Sequence, residues 1–132
     1  MRKVCAILAA VAAAAALVLA GAPAASASPA AYPTTLFSVF SGDSYFTGEI
    51  TWYNRSVGIL GGFNAVGCRR VYGTSWAGTT PLDERSSSTH CNTYTNETIP
   101  LDANVPGGAS HVYISLTDAS GRVLDDGYYY RP

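Results

Sequence analysis

The chain has 132 residues, eight basic and nine acidic side chains, and a formal net charge of −1. Past the first 27 residues the six arginines and nine acids give −3, a balance that argues against a general nucleic-acid binder, which needs a basic face to neutralise phosphates. It also argues against attachment to anionic lipid by charge alone.

The first element is a leader. Arg2-Lys3 is a short basic start, residues 4–20 are apolar throughout, and small residues follow up to Ala25-Ser26-Ala27. This is the layout of a secretory signal peptide over 1–27, cleaved before Ser28, with Ala22-Pro23-Ala24 as an alternative cut. Cys5 lies at the start of the apolar run and not after it, which does not fit a lipid-modified N-terminal cysteine. No later stretch is apolar enough to cross a membrane, so no membrane association is expected once the leader is gone. The alanine-heavy leader and the use of arginine over lysine fit a bacterial, secreted, extracellular protein.

Residues 28–132 make one small domain, not two. They hold six arginines, no lysine and nine acids. Two cysteines remain, Cys68 and Cys91, and in an exported chain they read as one disulfide. No Cys/His cluster supplies four ligands, so no metal and no cofactor is expected.

Helical spacing is missing from this region, while Gly, Ser, Thr, Tyr and Val favour strands and turns. Residues 28–35 read as a flexible lead-in to a domain over 36–132. A first, edge-like strand falls at 36–41. The stretch 44–54 is a strand with Phe46, Ile50 and Trp52 on one face, and Gly48 among them either relieves crowding or marks a bulge. In "ITWYNRSVGI" (50–59) the apolar pair Ile50 and Trp52 is even-numbered and the pair Val57 and Ile59 is odd. A period-two strand would send these pairs to opposite faces, so the chain must insert an odd offset between 53 and 57, by a bulge or, the favoured reading, by a tight turn joining two neighbouring strands.

A glycine-rich strand at 56–67 and a separate strand at 68–78 follow, the latter with Arg70 and Tyr72 opposite Val71. Residues 79–88 read as a loop or short edge strand, and 89–108 as an irregular strand ending in Pro106-Gly107-Gly108. His90 then falls on an exposed loop. The segment 110–118 alternates cleanly, with Val112, Ile114 and Leu116 inward and His111, Tyr113, Ser115 and Thr117 outward. A hairpin at 118–122 leads to a last strand at 122–132 with Gly127 as a candidate bulge. About seven short strands with regular turns predict an all-β fold, an antiparallel β-sandwich of immunoglobulin-like type with one disulfide.

No catalytic constellation is legible. There is no G-x-S-x-G elbow for a serine hydrolase, and a disulfide-bonded cysteine is not a nucleophile. Asp125-Asp126 would point to opposite faces, and most other acids lie where turns want them. The enzymatic rival is a small secreted ribonuclease-like hydrolase using Glu49, His111 and Arg69 or Arg70, residue types suited to base, acid and phosphate contact. Asn54-Arg55-Ser56 and Asn96-Glu97-Thr98 match N-x-S/T but read as polar turns.

What remains is recognition. All nine tyrosines, four phenylalanines and two tryptophans follow the leader. Exposed Tyr with Arg is the composition of binding surfaces, although Tyr also stabilises sheets across strands. The expected function is a non-catalytic module that binds an extracellular protein or cell-envelope glycan, with Tyr53, Arg55, Tyr113, Tyr128 and Tyr130 as candidate contacts. An inhibitor of an exported enzyme, using the disulfide-braced loop 79–90, is the other binding alternative.

Overall fold

The computed structural model describes Gly21 and residues 31–132. The leader expected at 1–27 and the first lead-in residues, 28–30, otherwise lie outside the described residues. Seven strands follow one another: β1 (Thr34–Ser41), β2 (Ser44–Trp52), β3 (Ser56–Ala77), β4 (Thr80–Ser86), β5 (His90–Asp102), β6 (His111–Asp118) and β7 (Val123–Tyr130). No helix occurs among the described residues. All ladders are antiparallel and join into one sheet with the path β1-β2-β3-β6-β7, to which β4 and β5 add along β3.

The organising element is β3, at 22 residues. The sequence predicts two strands there; one continuous strand is found. Its first half pairs with both β2 and β5, so these occupy opposite edges. Its second half pairs with β6 and β4. Arg69 pairs with both His90 of β5 and Asp118 of β6, which puts β2 and β6 on one edge and β4 and β5 on the other. The glycine-rich junction does not end the strand because it holds a bulge. Val66 and Gly67 face a single residue, Asn92, and the register shifts between Ala65 and Cys68. Gly67 and Asn92 both take positive φ, 76° and 49°, conformations these two residue types tolerate best. The Asn92 side chain accepts the Gly67 N–H at 2.7 Å.

Beside the bulge, Cys68 and Cys91 are disulfide-bonded across the ladder, as the sequence predicts. His90 lies next to it. It is not on an exposed loop: it opens β5, meets the Phe63 ring at 5.4 Å and pairs with Glu97 at 2.6 Å.

Bending β3 lets its halves face each other across a common core. A Cβ on Gly73 would sit 2.7 Å from Ile59 Cδ1 and 3.3 Å from Leu101 Cδ1. One hydrophobic cluster joins Phe46, Ile50, Trp52, Ile59 and Phe63 of the first half to Val71, Val112, Ile114 and Leu116 of the second. Each such side chain contributes about 1.5–3 kcal/mol by leaving water.

The parity change in "ITWYNRSVGI" is resolved as a hairpin. Trp52 pairs with Val57 and Ile50 with Ile59. Partners in this ladder sum to an odd number, so even positions of β2 face odd positions of β3, and all four side chains are buried. The Tyr53 N–H donates to the Ser56 carbonyl at 3.0 Å to close the turn.

The sheet is nearly closed into a barrel. At the seam β1 meets β7 through side chains. The Tyr129 hydroxyl donates to the Ser38 carbonyl at 2.9 Å and accepts from the Ser38 N–H at 3.1 Å. Asp125 accepts the Phe40 N–H at 2.7 Å. The expected bulge at Gly127 is instead at Leu124, where the ladder to β6 slips between Leu116 and Thr117. Gly127 makes room for an aromatic ring. A Cβ there would lie 2.9 Å from the Tyr129 ring, which folds over it toward the core. Tyr129→Phe keeps the ring and deletes the bridge. It is expected to lower the unfolding free energy by about 1–2 kcal/mol, read as an earlier midpoint in chemical denaturation. An unchanged midpoint would show that water replaces the hydroxyl.

Candidate functional site

The outer face of the second half-sheet brings two of the exposed aromatic side chains, Tyr128 and Tyr130, together with Trp76, His111 and Tyr113. Beyond the bulge, the even positions of β3 face outward, so Tyr72, Thr74 and Trp76 line up with β6 and β7 across the ladders. Trp76 pairs with His111, which pairs with Tyr130. One step along, Thr74 pairs with Tyr113, which pairs with Tyr128. The Trp76 and His111 rings are parallel within 7° at 6.0 Å. His111 lies 5.2 Å from Tyr130, and Tyr113 lies 4.9 Å from Tyr128. Cross-strand aromatic pairs stabilise a sheet in their own right. Here, though, Tyr128 and Tyr130 remain 58% and 65% exposed, with their rings available to a ligand.

On the other edge of β3, strand β4 builds a wall. Pro81 pairs with Trp76 and Glu84 with Thr74, and the extra residue Leu82 swells β4 between them. The result is an open groove of about 780 Å3 with Trp76, Pro81, Leu82, Glu84, Tyr113 and Tyr128 on its surface. Ser115 and Thr117, expected outward and solvent-facing, are only 4% and 2% exposed. They floor a smaller hollow beside the groove, walled by Tyr72, Tyr113 and Val123.

Two hydrogen bonds fix the polar groups. Thr74 Oγ1 donates to Glu84 Oε2 at 3.2 Å, and the Tyr113 hydroxyl donates to Asp126 Oδ2 at 2.8 Å. Burial, reinforced by that bond and by the Asp126 charge, pushes the Tyr113 hydroxyl up to about 12. Tyr113 is therefore a neutral donor at physiological pH, and its bond to Asp126 persists.

Of the sequence-derived candidates, Tyr113, Tyr128 and Tyr130 come together on this face. Tyr53 and Arg55 do not. They form the β2–β3 hairpin tip, where the Tyr53 ring meets Tyr32 at 4.8 Å and Arg55 donates to Asn104 Oδ1 at 3.3 Å. Neither shares a hydrogen bond or ring contact with the groove. The Tyr53 carbonyl instead accepts from Arg131 at 2.6 Å, and the Arg131 guanidinium lies over Trp52 at 5.9 Å. This arginine ties the C-terminal end to the β2–β3 hairpin.

The ribonuclease-type set does not assemble. Glu49 lies on β2 between Leu36 and Leu60. Arg70 donates to the Ser87 carbonyl and lies over Tyr72, and Arg69 donates to the Cys68 carbonyl. None of these touches His111, whose Nδ1 is 3.0 Å from Ser110 Oγ.

Sequence reasoning missed Trp76, Leu82, Glu84 and Asp126. For Trp76 a signal was present: extending the outward parity of Arg70 and Tyr72 by two further steps reaches it. Compared with protein-family models, curated proteins and solved structures, the chain shows no match.

Proposed function

We propose that this chain is a small secreted, non-catalytic binding module that recognises an extracellular protein or cell-envelope glycan through the outer face of β3, β4, β6 and β7. The observation that carries the reading is the convergence of Trp76, Tyr113, Tyr128 and Tyr130 beside an open groove. Aromatic side chains combine large contact area with a polar edge, and they lose little rotamer freedom on binding. The basic leader, the apolar run and the disulfide support export. The carboxylates along the groove oppose a phosphate backbone, which argues against nucleic acid.

In this reading the coiled sheet works as a sandwich of immunoglobulin-like type. The first half of β3 with β1, β2 and β5 forms one layer, and the second half with β4, β6 and β7 forms the other. The binding face is the outside of the second layer, held rigid by the core beneath it.

The test is a double variant, Trp76→Ala/Tyr128→Ala, against wild type. Saturable binding to purified cell wall, polysaccharide or secreted protein is expected for the wild type, with a loss of about tenfold or more in the variant and an unchanged far-UV spectrum. RNA turnover that disappears in His111→Ala would replace this reading with the hydrolase.

A further inference from the structure

The groove's charges are unbalanced. Asp83 pairs with Arg85 at 3.0 Å, and Arg85 also reaches Asp102 at 3.2 Å. Glu84 and Asp126 have no such counter-ion: among the described residues no Arg, Lys or His lies within ion-pair distance of either. Asp126 is engaged by the Tyr113 hydroxyl. Glu84 is exposed, and its Oε2 accepts from Thr74 while Oε1 has no partner within the described residues.

Resting on the binding reading above, we infer that the groove takes a lysine side chain presented by an extracellular protein partner. Glu84 Oε1 is the counter-ion, and the Trp76, Tyr113 and Tyr128 rings form the walls. The surfaces match the two parts of that side chain. Leu82 and Pro81 offer apolar area to the methylene stem, which buries well along such a surface. The aromatic rings and the carboxylate attract the ammonium head together. Lysine fits better than arginine because only one Glu84 oxygen is free. A guanidinium is held best by both oxygens of a carboxylate at once, whereas an ammonium is a compact charge that one oxygen can satisfy. A neutral glycan would stack on the same rings but would leave the Glu84 charge without its complement.

The inference is tested by NMR titration of the full domain with the capped peptide Gly-Gly-Lys-Gly-Gly. Controls are its Nε-acetylated and arginine counterparts and a neutral tetramer of N-acetylglucosamine. The lysine peptide is expected to shift the Trp76 indole and the amides of Thr74, Tyr113 and Tyr128 saturably. Acetylation is expected to abolish the shifts, and arginine to bind more weakly. Glu84→Gln keeps an acceptor for Thr74 and removes only the charge, so it is expected to weaken the lysine peptide about tenfold or more. Raising the salt should weaken binding in wild type but not in this variant. Equal affinity for free and acetylated lysine, or indifference to Glu84→Gln, overturns the inference. If the neutral tetramer alone moves the groove resonances, and Trp76→Ala abolishes this, the binding module stands and the lysine partner falls. If neither probe moves those resonances and no cell-wall or secreted ligand is retained, both fall.

Discussion

Reduction of the Cys68–Cys91 bond, or replacement of both cysteines by alanine, is expected to destabilise the domain by about 3 kcal/mol. The bond closes a loop of 23 residues, and a loop of that size removes about this much chain entropy from the unfolded state. A domain of this length is stable by only ~5–15 kcal/mol, so the loss is a large fraction of the whole. The location matters as much as the loop length. The bond clamps β3 to β5 beside the Val66-Gly67 bulge, where the regular ladder is interrupted. Melting followed by circular dichroism with and without reductant should show the midpoint falling by roughly 10–20 °C. A midpoint unchanged on reduction would mean that the bulge is held by its other contacts, the Gly67–Asn92 hydrogen bond and the His90–Glu97 pair. Cys91 is solvent-exposed, so a reductant can reach it without prior unfolding.

Gly48→Ala is expected to cost about 3 kcal/mol or more, beyond the usual range for a single added methyl. A Cβ at this position would fall 2.0 Å from the Leu60 carbonyl oxygen and 2.5 Å from the Gly61 Cα. Both are backbone atoms of the paired strand and cannot turn aside as a flexible side chain would. Gly61 is opposite, and a Cβ there would lie 2.9 Å from the tips of both Phe37 and Phe46. The two glycines together let β2 and β3 approach and let aromatic rings cross the space. The variant should show loss of near-UV circular dichroism and an early, broadened denaturation transition. A variant with wild-type stability would show that β2 can move away from β3 at small cost. Of the two readings of Gly48 in the sequence, relief of crowding is therefore the one found; the β2–β3 ladder is regular through it.

The strands were legible wherever alternation was local. Ile50, Trp52, Val112, Ile114 and Leu116 all face the core as their spacing predicts, and the change of parity after Trp52 located the β2–β3 hairpin. The disulfide was legible because only two cysteines follow the leader. What could not be read locally was the length of β3. Glycines at 58, 61, 62 and 67 look like an interruption, and only pairing with a distant strand shows that the first three stay in a regular ladder while a bulge absorbs Gly67. The same reason hid half of the groove. Glu84 and Leu82 sit in a polar stretch that reads as a loop, and their place beside Trp76 follows from the register of β4 on β3. Tyr113 and Tyr128 were found from parity, but Tyr53 was not separable from them. Outward parity says that a side chain leaves the core, not which face of a bent sheet it leaves from.

The seam between β1 and β7 also bears on the company the protein keeps. A sheet that stops short of closure exposes amides and carbonyls on which another chain can extend it, the usual start of edge-to-edge aggregation. Here the Ser38 and Phe40 amides of β1 are already taken, by Tyr129 and Asp125. On the far side, β5 has no partner strand along its outer edge among the described residues. It carries Pro100, which has no N–H to offer, and Glu97, whose charge shares the inward parity of Ile99 and Leu101 and would be stranded by a slipped pairing. The molecule thus shields one edge with side chains and spoils the other with proline and charge, leaving little purchase for a foreign strand.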